Sequence, residues 1–418
     1  MIYRTKVKSQ KGIKTVFLEQ GCKNKVFFTQ IAFKAIKKMQ IASKLPQVGT
    51  TIFSVMSALA KEHGAINLSQ GFPDYDCSPL LSELATKYIR SGCNQYAPMP
   101  GTIELRERIA EIIQTCYAAT YSPDSEITVT AGATQAIYTA LTAFVKPGDE
   151  VLIFEPAYDC YAPSIELQGG KVVYSTLKSP HFTIDWDDVR KKINSRTRAL
   201  IINSPHNPCG SILSKTDLDE LERVVDNTDL VIISDEVYEH MVFDGEIHQS
   251  VALREKLRTR SILVSSFGKT VHTTGWKIGY VAAPHALMAE FRKVHQFLVF
   301  AVNHPLQLCL AEFLKDARNY KELKDFYETK RNLFLKLTAS SRLKPLHSAG
   351  TYFQLMDYSD ISLENDTDFA VRITRENKLA SIPLSVFYKE KPEHHLLRFC
   401  FAKKDETLEK AAEILCNL

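Results

Sequence analysis

The stretch "VSSFGKTVHTTGWKIGY", residues 264–280, sets a chemical problem. Lys269 follows an apolar, β-branched run and a group of small residues, where its ammonium must give up water. Desolvating an unpaired charge is unfavourable, and it drives a lysine towards its neutral, nucleophilic form. Other strand-like segments end in groups that carry a similar cost. "IISDEVY" closes on Asp235 and Tyr238, and a carboxylate there needs a cation to meet or a helix N-terminus to cap. "LLRFCFA" sets Arg398 inside an apolar strand; a guanidinium cannot shed its charge, so an anion from protein or ligand has to reach it. "AGATQA" puts Gly132, Ala133 and Thr134 between a strand and a helix, where free N–H groups favour a phosphate, although many glycine turns only turn the chain. "NSPHNPCG" offers Asn207 in a turn whose Asn-Pro step is ordinary turn chemistry, with His206 read as a hydrogen-bonded loop residue. "EPAYDCY" supplies Tyr158, which taken alone is equally a core residue.

A common scaffold must bring these groups together. From about Thr51 the chain alternates helical and strand-like segments, and "EITVT", "EVLIFE", "ALIIN", "LVIISD" and "SILVSS" are short, nearly continuous apolar runs. Such runs between helices predict an α/β fold with a parallel sheet covered on both faces. Each run ends in a polar cluster at its C-terminal side, the edge where parallel sheets bind ligands. A long helical region follows "APHALMAEFRKVHQFL". The tail then changes character, with strands in "GTYFQLMDY", "LASIPL" and "LLRFCF" and a closing helix in "DETLEKAAEILCN". The expected organisation is a basic, disordered extension over 1–42 and a segment 43–82 that packs with the small domain. A large cofactor-binding domain over 83–319 and a smaller α+β domain over 320–418 complete it.

Composition bounds the function. The 418 residues are 45% hydrophobic and 24% charged, as in ordinary globular proteins, and no apolar run is long enough for a membrane span. Nine scattered cysteines without metal-like spacing favour a reducing, cytoplasmic setting and no structural metal. The net charge of +4 hides an asymmetry: residues 1–38 hold ten Lys and Arg against the single acid Glu19, so the rest is net acidic. That main body gives no support to nucleic-acid binding. Residues 27–38 could form a basic amphipathic helix, though a disordered leader is the plainer expectation. G-x-G-x-x-G and G-x-x-x-x-G-K-[ST] are both absent, which removes the usual support for dinucleotides and nucleoside triphosphates.

One ligand class would satisfy all these groups: a phosphate, a flat ring with a basic nitrogen, a phenolic oxygen, and an aldehyde that condenses with a lysine. Pyridoxal 5'-phosphate has all four. With "LSQGFPDY", "NQYAPMPG", "AGATQAI", "EPAYDCY", "NSPHNPCG", "ISDEVYEH", "SSFGKT…TGWKIGY" and "LLRFCFA" in this order, the chain resembles fold-type I pyridoxal-phosphate enzymes, the class I/II aminotransferases. The resemblance runs from about residue 45 to the C-terminus and is nearest the methionine and kynurenine–glutamine branch.

The resemblance implies roles. Lys269 bonds the cofactor and carries the proton to and from the substrate Cα. Asp235 keeps the pyridine nitrogen protonated, and Tyr238 and Asn207 hydrogen-bond the phenolic oxygen. Tyr158 covers the ring face. Ala133, Thr134, Ser266 and Lys277 hold the phosphate, helped by Tyr96 of the partner subunit in a homodimer. Arg398, with Asn207 and Gly71, takes the α-carboxylate, and Phe53 lies by the substrate side chain. Lys277 departs from the arginine that aspartate aminotransferases use. A second arginine for a dicarboxylate is also missing, which favours methionine, aromatic or glutamine-like donors and a 2-oxo-acid acceptor. A cystathionine or cysteine-conjugate β-lyase on the same scaffold is the competing reading. A DNA-binding regulator lacks room for its extra module.

Overall fold

The computed structural model describes residues 3–9, 12–18 and 41–418. Contacts divide the chain into two units, Met1–Ser43 and Lys44–Leu418. Where the sequence suggests a disordered leader, Tyr3–Ser9 and Gly12–Leu18 pair as an antiparallel hairpin. The β-branched Thr5 and Val7 in "YRTKVKS" and Ile13, Thr15 and Val16 in "GIKTVFL" suit such pairing. The amphipathic helix considered for residues 27–38 lies outside the described residues.

Seven strands form the main sheet of the second unit: β1 (Ile127–Thr130), β2 (Glu150–Glu155), β3 (Lys171–Thr176), β4 (Thr197–Asn203), β5 (Val231–Asp235), β6 (Ser261–Ser266) and β7 (Gly279–Ala282). Their order is β1-β7-β6-β5-β4-β2-β3, and only β7 runs antiparallel to its neighbours. The strands read as continuous apolar runs because alternate residues enter two different cores. Val151, Ile153, Ile201, Ile233 and Val264 join one cluster with the helix Ala133–Phe144. Leu152, Leu200, Ile202, Ile232 and Leu263 join the other. A sheet with one wet face would have alternated apolar and polar residues.

A four-stranded antiparallel sheet is built around β8 (Phe353–Asp357) and β9 (Leu396–Cys400). Arg398 on β9 lies opposite Leu355 and Ile382. The segment after Thr51 joins this region: helix Ile52–His63 packs on helix Asp366–Glu376, and Ile66–Asn67 pairs in parallel with Leu379–Ala380. Among the described residues, no helix is long and apolar enough to cross a membrane.

Candidate active site

The polar ends of β4, β5 and β6 and Lys277, just before β7, face one cavity of about 280 Å³, near the small end of the range for small-molecule sites. Phe53, Gly71, Ala133, Thr134, Tyr158, Asn207, Asp235, Tyr238, Ser266, Lys269, Lys277 and Arg398 all line it. Of the residues given a cofactor or substrate role in the sequence, Tyr96 stands apart from this cavity. It is 80% exposed, with its ring edge-on to Phe300 at 5.2 Å.

Lys269 is not on the strand itself. β6 stops at Ser266, and a single helical turn, Phe267–Thr270, carries the lysine, closed by Val271 N–H donating to Phe267 O at 2.8 Å. Phe267 N–H still donates to Ile278 O, its opposite in the β6–β7 register, before the helical turn takes the chain away from the sheet. Ser265, one of the small residues beside the lysine, turns away from the cavity and donates to Glu239 at 2.6 Å. Lys269 Nζ donates to Tyr352 Oη at 2.6 Å and to Gly71 O at 3.1 Å. Burial pulls its pKa down to about 8, so it gives up its proton far more readily than a solvated lysine.

Asp235, at the end of β5, is 4% exposed. It accepts a hydrogen bond from Tyr161 Oη at 2.6 Å and a long one from Val237 N–H at 3.4 Å. Burial pushes its pKa up to about 6, and the Tyr161 hydroxyl partly offsets this. Among the described residues it forms no ion pair, and the charge of Lys269 is a smaller, opposing influence on its pKa. Asn203, at the end of β4, braces the neighbouring loop: its Nδ2 donates to Asp235 O at 2.8 Å, and its Oδ1 accepts from Asn207 N–H at 2.8 Å.

Arg398 is 1% exposed and only half satisfied. Nη1 donates to Asn207 Oδ1 at 2.7 Å and Nη2 to Ser69 O at 3.0 Å, while Nε has no partner. Its guanidinium lies 3.8 Å from the Phe353 ring centroid, with Phe53 and Phe387 at 5.3 and 5.4 Å. Aromatic faces stabilise the cation without neutralising it, which leaves the fork able to take a carboxylate.

At the other end of the cavity the helix Ala133–Phe144 starts without a side-chain cap. Gly132, at φ +80°, makes the entry turn, and a Cβ there would lie 3.4 Å from Lys277 Nζ. A lysine on an uncapped helix N-terminus is a site for an anion.

Sequence reasoning gave no role to Tyr352, which accepts from Lys269, to Tyr161, which donates to Asp235, or to Asn203, which bridges Asp235 and Asn207. Tyr161 lies within the quoted "EPAYDCY" and Asn203 within "NSPHNPCG", but neither spacing reveals which side chain turns inward. Tyr352, in "GTYF", is indistinguishable by type from its core neighbours. His206 is a buried loop residue whose backbone N–H donates to Ser211 O at 2.8 Å, while its Nδ1 has no partner.

A buried lysine, carboxylate and guanidinium near an uncapped helix start, at the carboxyl edge of this sheet, agree with the family to which the chain belongs: the class I and II aminotransferases, whose profile matches residues 63–415. It is an aminotransferase. The methionine aminotransferase of Escherichia coli K12 is 49% identical over 377 residues, 90% of this chain and 98% of that one. A crystal structure from E. coli, reported with a methionine aminotransferase function, superposes with a TM-score of 0.89 and covers 91% of this chain and all of that one. The N-succinyldiaminopimelate aminotransferase structure from Mycobacterium tuberculosis is 38% identical, with a TM-score of 0.86 over 90% of this chain and 100% of that one. Kynurenine–oxoglutarate transaminase of Dictyostelium discoideum is 32% identical over 88% of this chain and 94% of its own. None of these relatives is named as a lyase.

Proposed function

We propose that this aminotransferase uses pyridoxal 5'-phosphate to move the amino group of methionine, aromatic or glutamine-like donors to a 2-oxo acid, as a cytoplasmic homodimer. The observation that carries the reading is the trio of buried ionic groups around one cavity: Lys269, Asp235 and Arg398, the last with an unpartnered Nε. Each has the charge or lone pair that one part of the cofactor–substrate pair needs. When bound, the cofactor supplies a ring that accepts the electrons left at Cα.

The residues do the rest. Ala133 and Thr134 N–H groups, Ser266 and Lys277 bind the phosphate, with Tyr96 of the partner subunit closing the site. Asp235 holds a proton on the ring nitrogen. Tyr238 and Asn207 hydrogen-bond the phenolic oxygen, and Tyr158 covers one ring face. Arg398 grips the α-carboxylate, with Asn207 and Gly71 beside it. Lys269, neutral once its proton leaves, would take the proton from the substrate Cα and hold it on Nζ for return.

Donor choice follows from what lines the cavity beyond Arg398. Its other cations are Lys269 and Lys277, which this reading already engages, and its walls near Arg398 are Phe53 and Phe353. A thioether or a phenyl ring suits such walls, whereas a second carboxylate would be desolvated without a partner. The E. coli relative's name supports the same preference. The expected order of kcat/KM is methionine and aromatic donors first, glutamine next, aspartate and glutamate last. A donor panel against several 2-oxo acids checks this, and a preference for aspartate over methionine would refute it. For the lysine, borohydride reduction and peptide mapping should find the cofactor on Lys269, and Lys269→Ala should bind cofactor yet lose essentially all transamination. An adduct on another lysine sinks the assignment.

A further inference from the structure

The amine of Lys269 has an unusually complete hydrogen-bond setting. Tyr352 Oη lies 2.6 Å from Nζ and Gly71 O lies 3.1 Å from it. Tyr352 Oη and Gly71 O are themselves in hydrogen-bond contact. A carbonyl oxygen can only accept, so the single phenolic proton of Tyr352 goes to Gly71, and only its lone pairs remain for the lysine. The hydroxyl is therefore an acceptor towards Nζ and cannot compete for the amine's lone pair.

Valence does the orienting. A neutral amine has two N–H bonds and one lone pair. With both N–H groups given to Tyr352 and Gly71, the lone pair is left pointing away from both. In the protonated amine the third N–H takes that same direction. The tyrosine itself is held firmly: it is 1% exposed, and its ring packs edge-on to Tyr238 at 5.1 Å and Phe353 at 4.9 Å, and against Tyr327 at 5.6 Å.

We propose that Tyr352 is a positioning residue for the reaction: with the Gly71 carbonyl, it docks the free Lys269 amine so that its lone pair, or its transferable proton, faces the substrate. This rests on Lys269 being the lysine that moves the Cα proton. The charged and titratable groups around that amine are Asp235, Lys277, Arg398, Cys400, Tyr238 and Tyr352. Only Tyr352 changes in the test below.

The test uses full-length protein freed of cofactor, with Lys269 reactivity followed by trace competitive acetylation and mass spectrometry across pH. An ammonium donates to the hydroxyl more strongly than an amine does, so removing the acceptor in Tyr352→Phe lowers the Lys269 pKa. The labelling midpoint should fall by about one to two pH units, the scale of a hydrogen bond to a charged group. In the loaded enzyme, Cα-deuterated methionine should show a larger isotope effect on kcat, with KM nearly unchanged. A role confined to packing would move stability and leave the midpoint where it was, and an unmoved midpoint overturns the proposal. Should Tyr352→Phe not fold, 3-fluorotyrosine at position 352 keeps the shape and weakens the acceptor. It should shift the midpoint in the same direction by less, and no shift is again fatal. Borohydride mapping of the parent separates the two ideas, since an adduct elsewhere removes the Lys269 reading without altering the acetylation midpoint.

Discussion

Asp235 is the residue whose cost in the absence of ligand is clearest. Its folded pKa, about 6, is above the ordinary aspartate value, so the folded chain binds that proton more tightly than the unfolded chain does. Stability from this group is therefore present at low pH and is lost as pH rises through about 6. A rise of this size corresponds to about 2–3 kcal/mol. Cofactor-free Asp235→Asn should be more resistant to urea than the parent at pH 8, with the advantage shrinking by pH 5. The same substitution should lower kcat by orders of magnitude, because a neutral amide no longer holds the ring-nitrogen proton. Equal urea midpoints at pH 8 would mean the carboxylate carries no such strain. Arg398 gives the complementary expectation. Arg398→Ala leaves a substrate carboxylate buried without its fork and should cost about 2–5 kcal/mol in kcat/KM. The loss should be similar for every donor in the panel, and a loss confined to one donor would place Arg398 on the side chain instead.

At the scale of elements, the site depends on how closely β7 approaches the helix Ala133–Phe144. A Cβ at Gly279 would stand 2.5 Å from Ser265 O and 3.2 Å from Ala133 N, both backbone atoms that no rotamer change can move. Gly279→Ala should therefore separate β7 from β6 and tilt the helix N-terminus, at about 1–3 kcal/mol of stability. Because Ala133 opens that helix, weaker cofactor affinity should accompany the lower urea midpoint. Parent-like affinity in a destabilised variant would show that the helix start does not hold the phosphate. The glycine was visible in "KIGY", but nothing in the sequence reveals that two strands and a helix start converge on it.

The whole molecule raises the question of what covers Tyr96. Tyr96 and Phe297 are 80% and 87% exposed, with Leu298 and Phe300 also exposed. Clustered exposed apolar side chains of this kind suit a protein–protein contact, in keeping with the proposed homodimer. Sedimentation should give a dimer, and a fully active monomer would exclude the shared site. Removing residues 1–38 should leave both the melting temperature and the activity intact, because the family match begins at residue 63 and the contacts set Met1–Ser43 apart. Loss of activity in that truncation would give the leader a role that its composition does not suggest.

Much of this was legible in the sequence because it is written in local patterns. Doubly covered strands must be apolar on both sides, so "VLIFE", "LIIN" and "VIIS" declare a parallel sheet, and polar groups at their ends declare its ligand-binding edge. Lys269, Asp235 and Arg398 stood out because burying an ionic group conflicts with its apolar surroundings, and that conflict is visible in one dimension. What the sequence could not give was the second layer: Tyr352 under Lys269, Tyr161 on Asp235, Asn203 between Asp235 and Asn207, and Gly71 brought to the lysine across 198 residues of chain. These side chains are neutral, and their types suit a core or a turn equally well. Only the tertiary structure decides where an uncharged hydroxyl or amide points, because hydrogen bonds depend on distance and direction, and a linear pattern contains neither.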